Sequence, residues 1–467
     1  MGAIGSRDVH ADPVPNAAVL VQLFGTVASQ PATSVAGLGL KQVSLPTVML
    51  GVGLIFLVTL TISRFSPKFG LPAILGVLLF GLLLPSHLNP LGVERISHLQ
   101  TVNLAMLLFY AGLSTDLRQI RGFLGYGLLL SIGGVVVCTL VLGVFIWFLS
   151  SPTASSVQLG TSQIPLVVGM LMASCLASTD AGATLSVLKQ VRHHVPAQLR
   201  DLLEFESALN DPAAILMLSL MLGLAGLSGA QGAEGVLLNQ LRLFVQALGS
   251  GVLVGVLVGY LARFTINRIV TDASQLLVLG LSIALIGFGL AQELLGSGFI
   301  ATYVAGLVLA NHNYSNRWIQ HEALQRALLP FNTMTEIAVF FLFGLAMSPA
   351  KIWHSLPMGI LVSLAMILLA RPLGVLAFQR FSPFNARESA LVAWCGLRGA
   401  VPLALTHDLV VKLPEIQGLT ASQIQSLGPS IEGIIFLAVV LNLLIQGVSL
   451  PPLCRRLGLG SDEPALT

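Results

Sequence analysis

Thirteen apolar runs fill this chain from about residue 46 to residue 450. A helix that crosses a hydrocarbon layer needs roughly 17 to 25 such residues. The runs lie at about 46–64, 70–86, 98–117, 124–149, 165–188, 199–226, 238–263, 274–292, 297–311, 330–349, 354–376, 386–407 and 430–450. Asp, Glu, Lys and Arg make up 9% of the 467 residues, against about 25% in an ordinary soluble domain. So few charges cannot cover a water-facing surface of this size. In lipid the backbone must satisfy its own hydrogen bonds, which long helices do. The expectation is an all-α polytopic membrane protein of about 13 transmembrane helices. The 47 glycines suit it, because small residues let membrane helices pack closely.

Charge placement tests the count. The loops after odd-numbered spans hold Arg64, Lys68, Arg118, Arg121, Lys189, Arg192, Arg200, Arg263, Arg268, Arg317, Arg326, Arg380, Arg387, Arg455 and Arg456. The other side holds Arg7, Lys41, Arg95, Arg242, Lys351 and Lys412. The richer side is predicted to be cytoplasmic, which sets the N-terminus outside and the C-terminus inside. A miscounted span in the middle would have scrambled this pattern. Residues 1–45 read as an N-terminal tail or short helix, and residues 451–467 as a short cytoplasmic tail. The net charge of +3 implies no nucleic-acid surface. Cys138, Cys175, Cys395 and Cys454 have no paired spacing that would suggest a disulfide framework or metal site.

Two stretches repeat. Leu107-Leu108-Phe109-Tyr110-Ala111-Gly112-Leu113 in span 3 returns loosely as Phe340-Phe341-Leu342-Phe343-Gly344-Leu345 in span 10. An offset of seven spans reverses the direction of crossing, as an inverted repeat of spans 1–6 and 8–13 requires. Span 5 is interrupted by Ala177-Ser178-Thr179-Asp180-Ala181-Gly182, and span 12 by Cys395-Gly396-Leu397-Arg398-Gly399-Ala400. Each interruption carries small residues and one charge, so both helices are predicted to unwind in mid-membrane and cross. Such a crossing exposes carbonyls and half-helix ends beside an ion.

The charges inside the spans are few. A carboxylate in such surroundings costs on the order of 2.5 to 3.5 kcal/mol even on lenient insertion scales, which marks Asp211, followed by Pro212, as a working group. Burial disfavours the ionised form of a lone acid, so Asp211 can trade a proton for a cation near neutral pH. Asn210 beside it tunes the site. Asp180 is either a second ligand or, as we favour, a counter-charge for helix N-termini at the crossing. Ser207 and Thr179 offer the oxygen atoms that hard cations prefer. Arg398 cannot readily lose its charge and needs a carboxylate; Glu206, one turn before Asn210, is its expected partner, with Glu204 as a rival. Asp116, Glu336 and Arg371 are left as funnel or secondary groups, with Arg371 answering one of the two acids.

Taken in order, these fragments resemble the cation/proton antiporters, in particular the prokaryotic NhaP-type branch related to eukaryotic sodium/proton exchangers. The family's Glu, three residues, then Asn-Asp in the sixth helix matches Glu206 to Asp211. Its Thr-Asp in the unwound fifth helix matches Thr179-Asp180, and its Gly-Leu-Arg-Gly-Ala in the unwound twelfth matches Gly396 to Ala400. Its Ala-Gly-Leu with a following acid matches Ala111, Gly112, Leu113 and Asp116.

The resemblance, over roughly residues 46–450, implies an elevator-type homodimer. Its core is roughly 98–226 and 330–450, and its dimerisation elements roughly 46–86 and 238–311. It also implies that Asp211, with Ser207 and Thr179, holds the transported sodium, that Glu206 and Arg398 form a structural ion pair, and that Asp180 stabilises the crossing. A neutral Asn210 implies electroneutral exchange, sodium first and lithium also, with potassium/proton exchange as the alternative. The implied setting is a prokaryotic inner or plasma membrane. The partners are monovalent cations, protons and lipid, with no cofactor and no enzymatic activity. Two departures are a missing long cytoplasmic tail, hence no tail-based regulation, and no clear match for a deeper third-helix acid. A cation channel and a non-transporting sensor are the rivals of other classes.

Overall fold

The computed structural model describes residues 45–66, 71–84, 93–151, 163–226, 233–272, 274–312 and 321–459. Of the expected terminal segments, residues 1–44 and 460–467 lie outside the described residues, as do Arg7, Lys41, Lys68 and Arg317. The chain divides into two compact units, Met1–Leu57 and Val58–Thr467. The described part of the first unit is the start of one apolar helix with Met49, Leu50, Leu54 and Leu57 exposed. Everything below concerns the second.

The described helices are α1 (Leu45–Phe65), α2 (Ala73–Leu83), α3 (Val93–Ser114), α4 (Leu124–Ser150), α5a (Leu166–Leu176), α5b (Ala181–Leu188), α6 (Ala197–Ala225) and α7 (Ala233–Arg268). After them come α8 (Gln275–Glu293), α9 (Gly298–Ala310), α10 (His321–Ala346), α11 (Pro349–Leu376, with a π-helical turn at Met366–Ala370), α12a (Ala386–Trp394), α12b (Ala400–Lys412) and α13 (Ala421–Leu457). Seven of these are long and apolar enough to cross a membrane alone, and α1, α2, α3, α5a and α9 are shorter apolar helices. With the two broken helices counted once each, the described residues form thirteen spans. The fold is all-α and multi-span.

Local chemistry sets many of the ends. Pro72, Pro165 and Pro196 precede α2, α5a and α6, where a missing N–H and a fixed φ do no harm. Asn385 and Thr420 form capping boxes with Glu388 and Gln423 at the starts of α12a and α13. Gly458, at φ 60°, closes α13 in the left-handed conformation. The last span is therefore longer than its apolar run: it begins at Ala421 and carries Pro429, Pro451 and Pro452 inside it. Part of the segment expected as a tail is helix. Helices in this class tolerate prolines because neighbours re-satisfy the freed carbonyls.

The inverted repeat is visible in backbone contacts. A Cβ on Gly112 of α3 would collide with Tyr303 O of α9, and one on Gly306 of α9 with Phe109 O of α3. The same reciprocal crossing recurs between α10 and α2, where Gly344 faces Leu78 O and Gly81 faces Phe341 O. Mapping spans 2 and 3 onto 9 and 10 turns one crossing into the other. The Leu/Phe/Gly echo in the sequence is thus a pair of equivalent helix contacts in which only glycine lets the backbones touch.

Candidate functional site

Both predicted breaks exist. α5 is non-helical from Ala177 to Asp180 and α12 from Cys395 to Gly399. The strands of open backbone cross, and the Asp180 N–H donates to Leu397 O at 2.8 Å. Unwinding leaves polar backbone groups that burial would penalise by about 1–3 kcal/mol each if unpaired, and side chains from three other spans answer them, together with Arg398 of α12 itself.

Two asparagines do this in matching fashion. Thr179 N–H donates to Asn210 Oδ1 at 3.0 Å, and Arg398 N–H donates to Asn442 Oδ1 at 2.9 Å. Asn210 lies on α6 and Asn442 on α13, equivalent helices of the two halves. Asn442 was not anticipated from the sequence. A single buried Asn in an apolar span, in the half that mirrors Asn210, was the available signal.

Charges are sorted by helix polarity. The half-helices α5b and α12b begin at the crossing, and their N-termini carry partial positive charge. Asp180 lies between them: Oδ1 accepts the Ala183 N–H at 2.9 Å, and its carboxylate fills the space a Cβ on Gly399 would take. At the opposite polarity, the C-terminal ends of α5a and α12a each meet an arginine. Arg398 Nη1 donates to Ala177 O at 2.7 Å and Ser178 O at 2.5 Å. Arg371 Nη2 donates to Val392 O at 3.3 Å and Cys395 O at 3.4 Å.

This arrangement corrects the expected ion pair. Glu206 is held by Arg371 and not by Arg398: Nη1 reaches Oε1 at 2.7 Å and Nη2 reaches Oε2 at 3.0 Å, both side chains being buried. Arg398 is buried as well, and carbonyl oxygens of α5a stand where its carboxylate was expected. The physical reason lies in α11. Its π-helical turn at Met366–Ala370 immediately precedes Arg371, and a wide turn re-aims the residues that follow. Arg371 was expected to answer Asp116 or Glu336, and it answers neither.

The remaining predicted residues gather at the crossing. Thr179 Oγ1 and Ser207 Oγ lie 2.9 Å apart. Asn210 Nδ2 donates to Thr179 Oγ1 at 2.5 Å and to Glu206 Oε1 at 3.0 Å, which ties the break to the ion pair. Pro212 lacks the N–H that would bond Ala208 O, so α6 is locally loosened beside the site. Asp211 is 6% exposed and forms no ion pair among the described residues. It lines a cavity of about 20 Å³ together with Asn103, Ser178, Thr179, Asp180 and Glu336, room for about one water-sized occupant. A carboxylate, hydroxyls and backbone carbonyls are the donor set of a hard monovalent cation and equally of a proton.

Asp116 stands apart. Its Oδ1 accepts the Arg118 N–H at 2.8 Å, capping a short helix at Leu117–Ile120. With Gln119, Asp201 and Glu204 it lines a separate cavity, and the last three border a larger one of about 370 Å³. It is a helix cap at an acidic mouth and not part of the crossing.

Comparison with known proteins follows the same outline. The family described as "Sodium/hydrogen exchanger, transmembrane" matches residues 53–456. A K(+)/H(+) antiporter NhaP2 of Shewanella oneidensis is 28% identical over 406 residues, covering 85% of this chain and 65% of its own length. A K(+)/H(+) antiporter NhaP of Alkalimonas amylolytica is 25% identical, covering 88% and 67%. A Na(+)/H(+) antiporter NhaP of Pseudomonas aeruginosa is 27% identical, covering 78% and 81%. The chain thus spans about two thirds of the length of the potassium-named relatives. Among solved structures, the sodium proton antiporter MjNhaP1 of Methanocaldococcus jannaschii at pH 8 superposes with a TM-score of 0.73 at 21% identity, covering 89% of this chain and 99% of that one.

Proposed function

The chain belongs to the sodium/hydrogen exchanger family, and we propose that it exchanges a monovalent cation for a proton across a membrane by alternating access. The observation that carries this reading is the isolation of Asp211. Glu206 is taken up by Arg371, Asp180 by two helix N-termini, and Arg398 by carbonyl oxygens. Asp211 faces the central cavity with no fixed counter-charge. A proton or a cation satisfies it, and competition between the two couples their movement. Ser207, Thr179 and Asn210 supply or position the other oxygens. With Asn210 neutral, one carboxylate titrates per cycle and the exchange is electroneutral.

The relatives favour potassium over sodium, since NhaP proteins that cover 85% and 88% of this chain are named K(+)/H(+) antiporters. This reverses the order suggested by the sequence resemblance, and sodium remains the second reading. The family resemblance further supports a homodimer in a prokaryotic inner membrane. There a core of residues about 98–226 and 330–450 slides against elements at about 46–86 and 238–311. The loop charges support an external N-terminus and a cytoplasmic C-terminus.

The test is a proteoliposome assay. An imposed pH gradient is dissipated by added potassium, sodium or lithium in turn, with and without a membrane potential. Wild-type protein is expected to respond, the rate to be independent of the potential, and Asp211→Asn to abolish the response while melting normally. Exchange that survives Asp211→Asn would overturn the reading, and a potential-dependent rate would overturn electroneutrality.

A further inference from the structure

One acid at the crossing has no role in the account above. Glu336 projects from the middle of α10, is half-buried, and forms no ion pair among the described residues. It borders two spaces at once. One is the central cavity beside Asp211. The other is a chamber of about 130 Å³ that also touches Ser63, Ala73, Gly182, Ser186 and Thr333. Glu336 and Phe340 are the residues common to both linings.

Asp180 approaches from the other side. A Cβ built on Gly182 would lie 3.2 Å from Asp180 Oδ1 and 3.4 Å from Glu336 Oε1, so two carboxylates border one small space kept clear by a glycine. Two like charges so placed repel unless something positive lies between them. Arg371 and Arg398 are already committed elsewhere. A further oxygen points the same way. Asn103 of α3 is 6% exposed, lines the central cavity, and its Oδ1 has no hydrogen-bond partner. Carboxylate oxygens beside an amide oxygen without a donor are what a hard cation seeks.

We propose that Glu336 and Asp180 form a second cation site, at the junction of the side chamber and the central cavity. A monovalent cation is held there before it passes to Asp211. The inference rests on reading the central cavity as a cation site. It adds a waiting position that Asp211 does not supply.

Binding is measured without transport, as the shift in melting midpoint of the full chain in detergent when choline is replaced by potassium, sodium or lithium. Asp211→Asn protein is expected to keep part of the cation-dependent shift, and adding Glu336→Gln is expected to remove it. Loss of the whole shift in Asp211→Asn alone, or its persistence in the double variant, overturns the proposal. Should the double variant fail to fold, Glu336→Asp takes its place, and an undiminished shift there overturns the proposal equally. In proteoliposomes, Glu336→Gln on the wild-type background is expected to raise the cation KM by about tenfold, the weight of one charged ligand, with a much smaller fall in maximal rate. An unchanged KM overturns the proposal. A wild-type protein that binds cation but exchanges no proton would sink the transport reading and leave the second site standing.

Discussion

The two halves of the crossing are built alike and equipped differently. In each, an unwound span is pinned by an asparagine from the next helix, Asn210 for α5 and Asn442 for α12. In each, an arginine covers the carbonyl end of the first half-helix. The resemblance stops one residue later. Asn210 is followed by Asp211, whereas Asn442 is followed by Leu443 and, one turn on, by Gln446. The repeat supplies a scaffold twice over, and the proposed chemistry sits where the repeat is broken. Similar architecture on both sides means that substitutions in the scaffold should hurt the halves equally, and substitutions in the chemistry should not.

The largest stability effect is expected at the Glu206–Arg371 pair. Glu206→Ala or Arg371→Ala leaves a buried charge alone and should destabilise by about 3–5 kcal/mol. The midpoint should fall far more for Arg371→Ala than for Arg371→Met combined with Glu206→Leu. Equal losses in the single and paired variants would show that the charge itself is not at issue. Next come the crossing glycines. Gly112→Ala and Gly344→Ala each drive a methyl into a backbone carbonyl, about 1–3 kcal/mol of overpacking. The comparison is broken if one melts normally and the other does not.

Asn442→Ala and Asn210→Ala each orphan a buried N–H, worth about 1–3 kcal/mol. Asn210→Ala should melt lower, since it also loses the bonds to Thr179 and Glu206, and only it should alter the cation dependence of exchange. The smallest effect belongs to Asp116→Ala, a lost helix cap of about 1 kcal/mol. There the midpoint should shift slightly and the cation KM should hold; a large KM change would bring the acidic mouth into the cation path.

Much of this was legible in advance because membrane spans announce themselves by length. The thirteen runs match thirteen helical spans, and the breaks in α5 and α12 match the small-residue interruptions at Thr179-Asp180 and Arg398-Gly399. Ends were less legible. α10 starts at His321 and α13 at Ala421, each ahead of a proline that marks a boundary in water but not inside a bundle. The pairing of Glu206 was not legible at all. Two arginines among the described residues are buried inside spans, and the choice between them depends on how a π-helical turn rotates α11, which no periodicity records. Asn442 was overlooked because an amide carries no charge to stand out in an apolar run. Only its place in the repeat distinguishes it.

The sorting of charge by helix polarity sets an electrical condition on any movement of this region. Two guanidinium groups, Arg371 and Arg398, face four carboxyl groups, Glu206, Asp180, Asp211 and Glu336. With all four ionised and nothing bound, the assembly holds an excess of two negative charges in a medium that resists even one. A single proton or monovalent cation at Asp211 would cancel half of that excess. The rest belongs to the corner shared by Asp180 and Glu336, so neutral travel under the proposed scheme calls for a second positive charge there, a proton or the next cation in waiting.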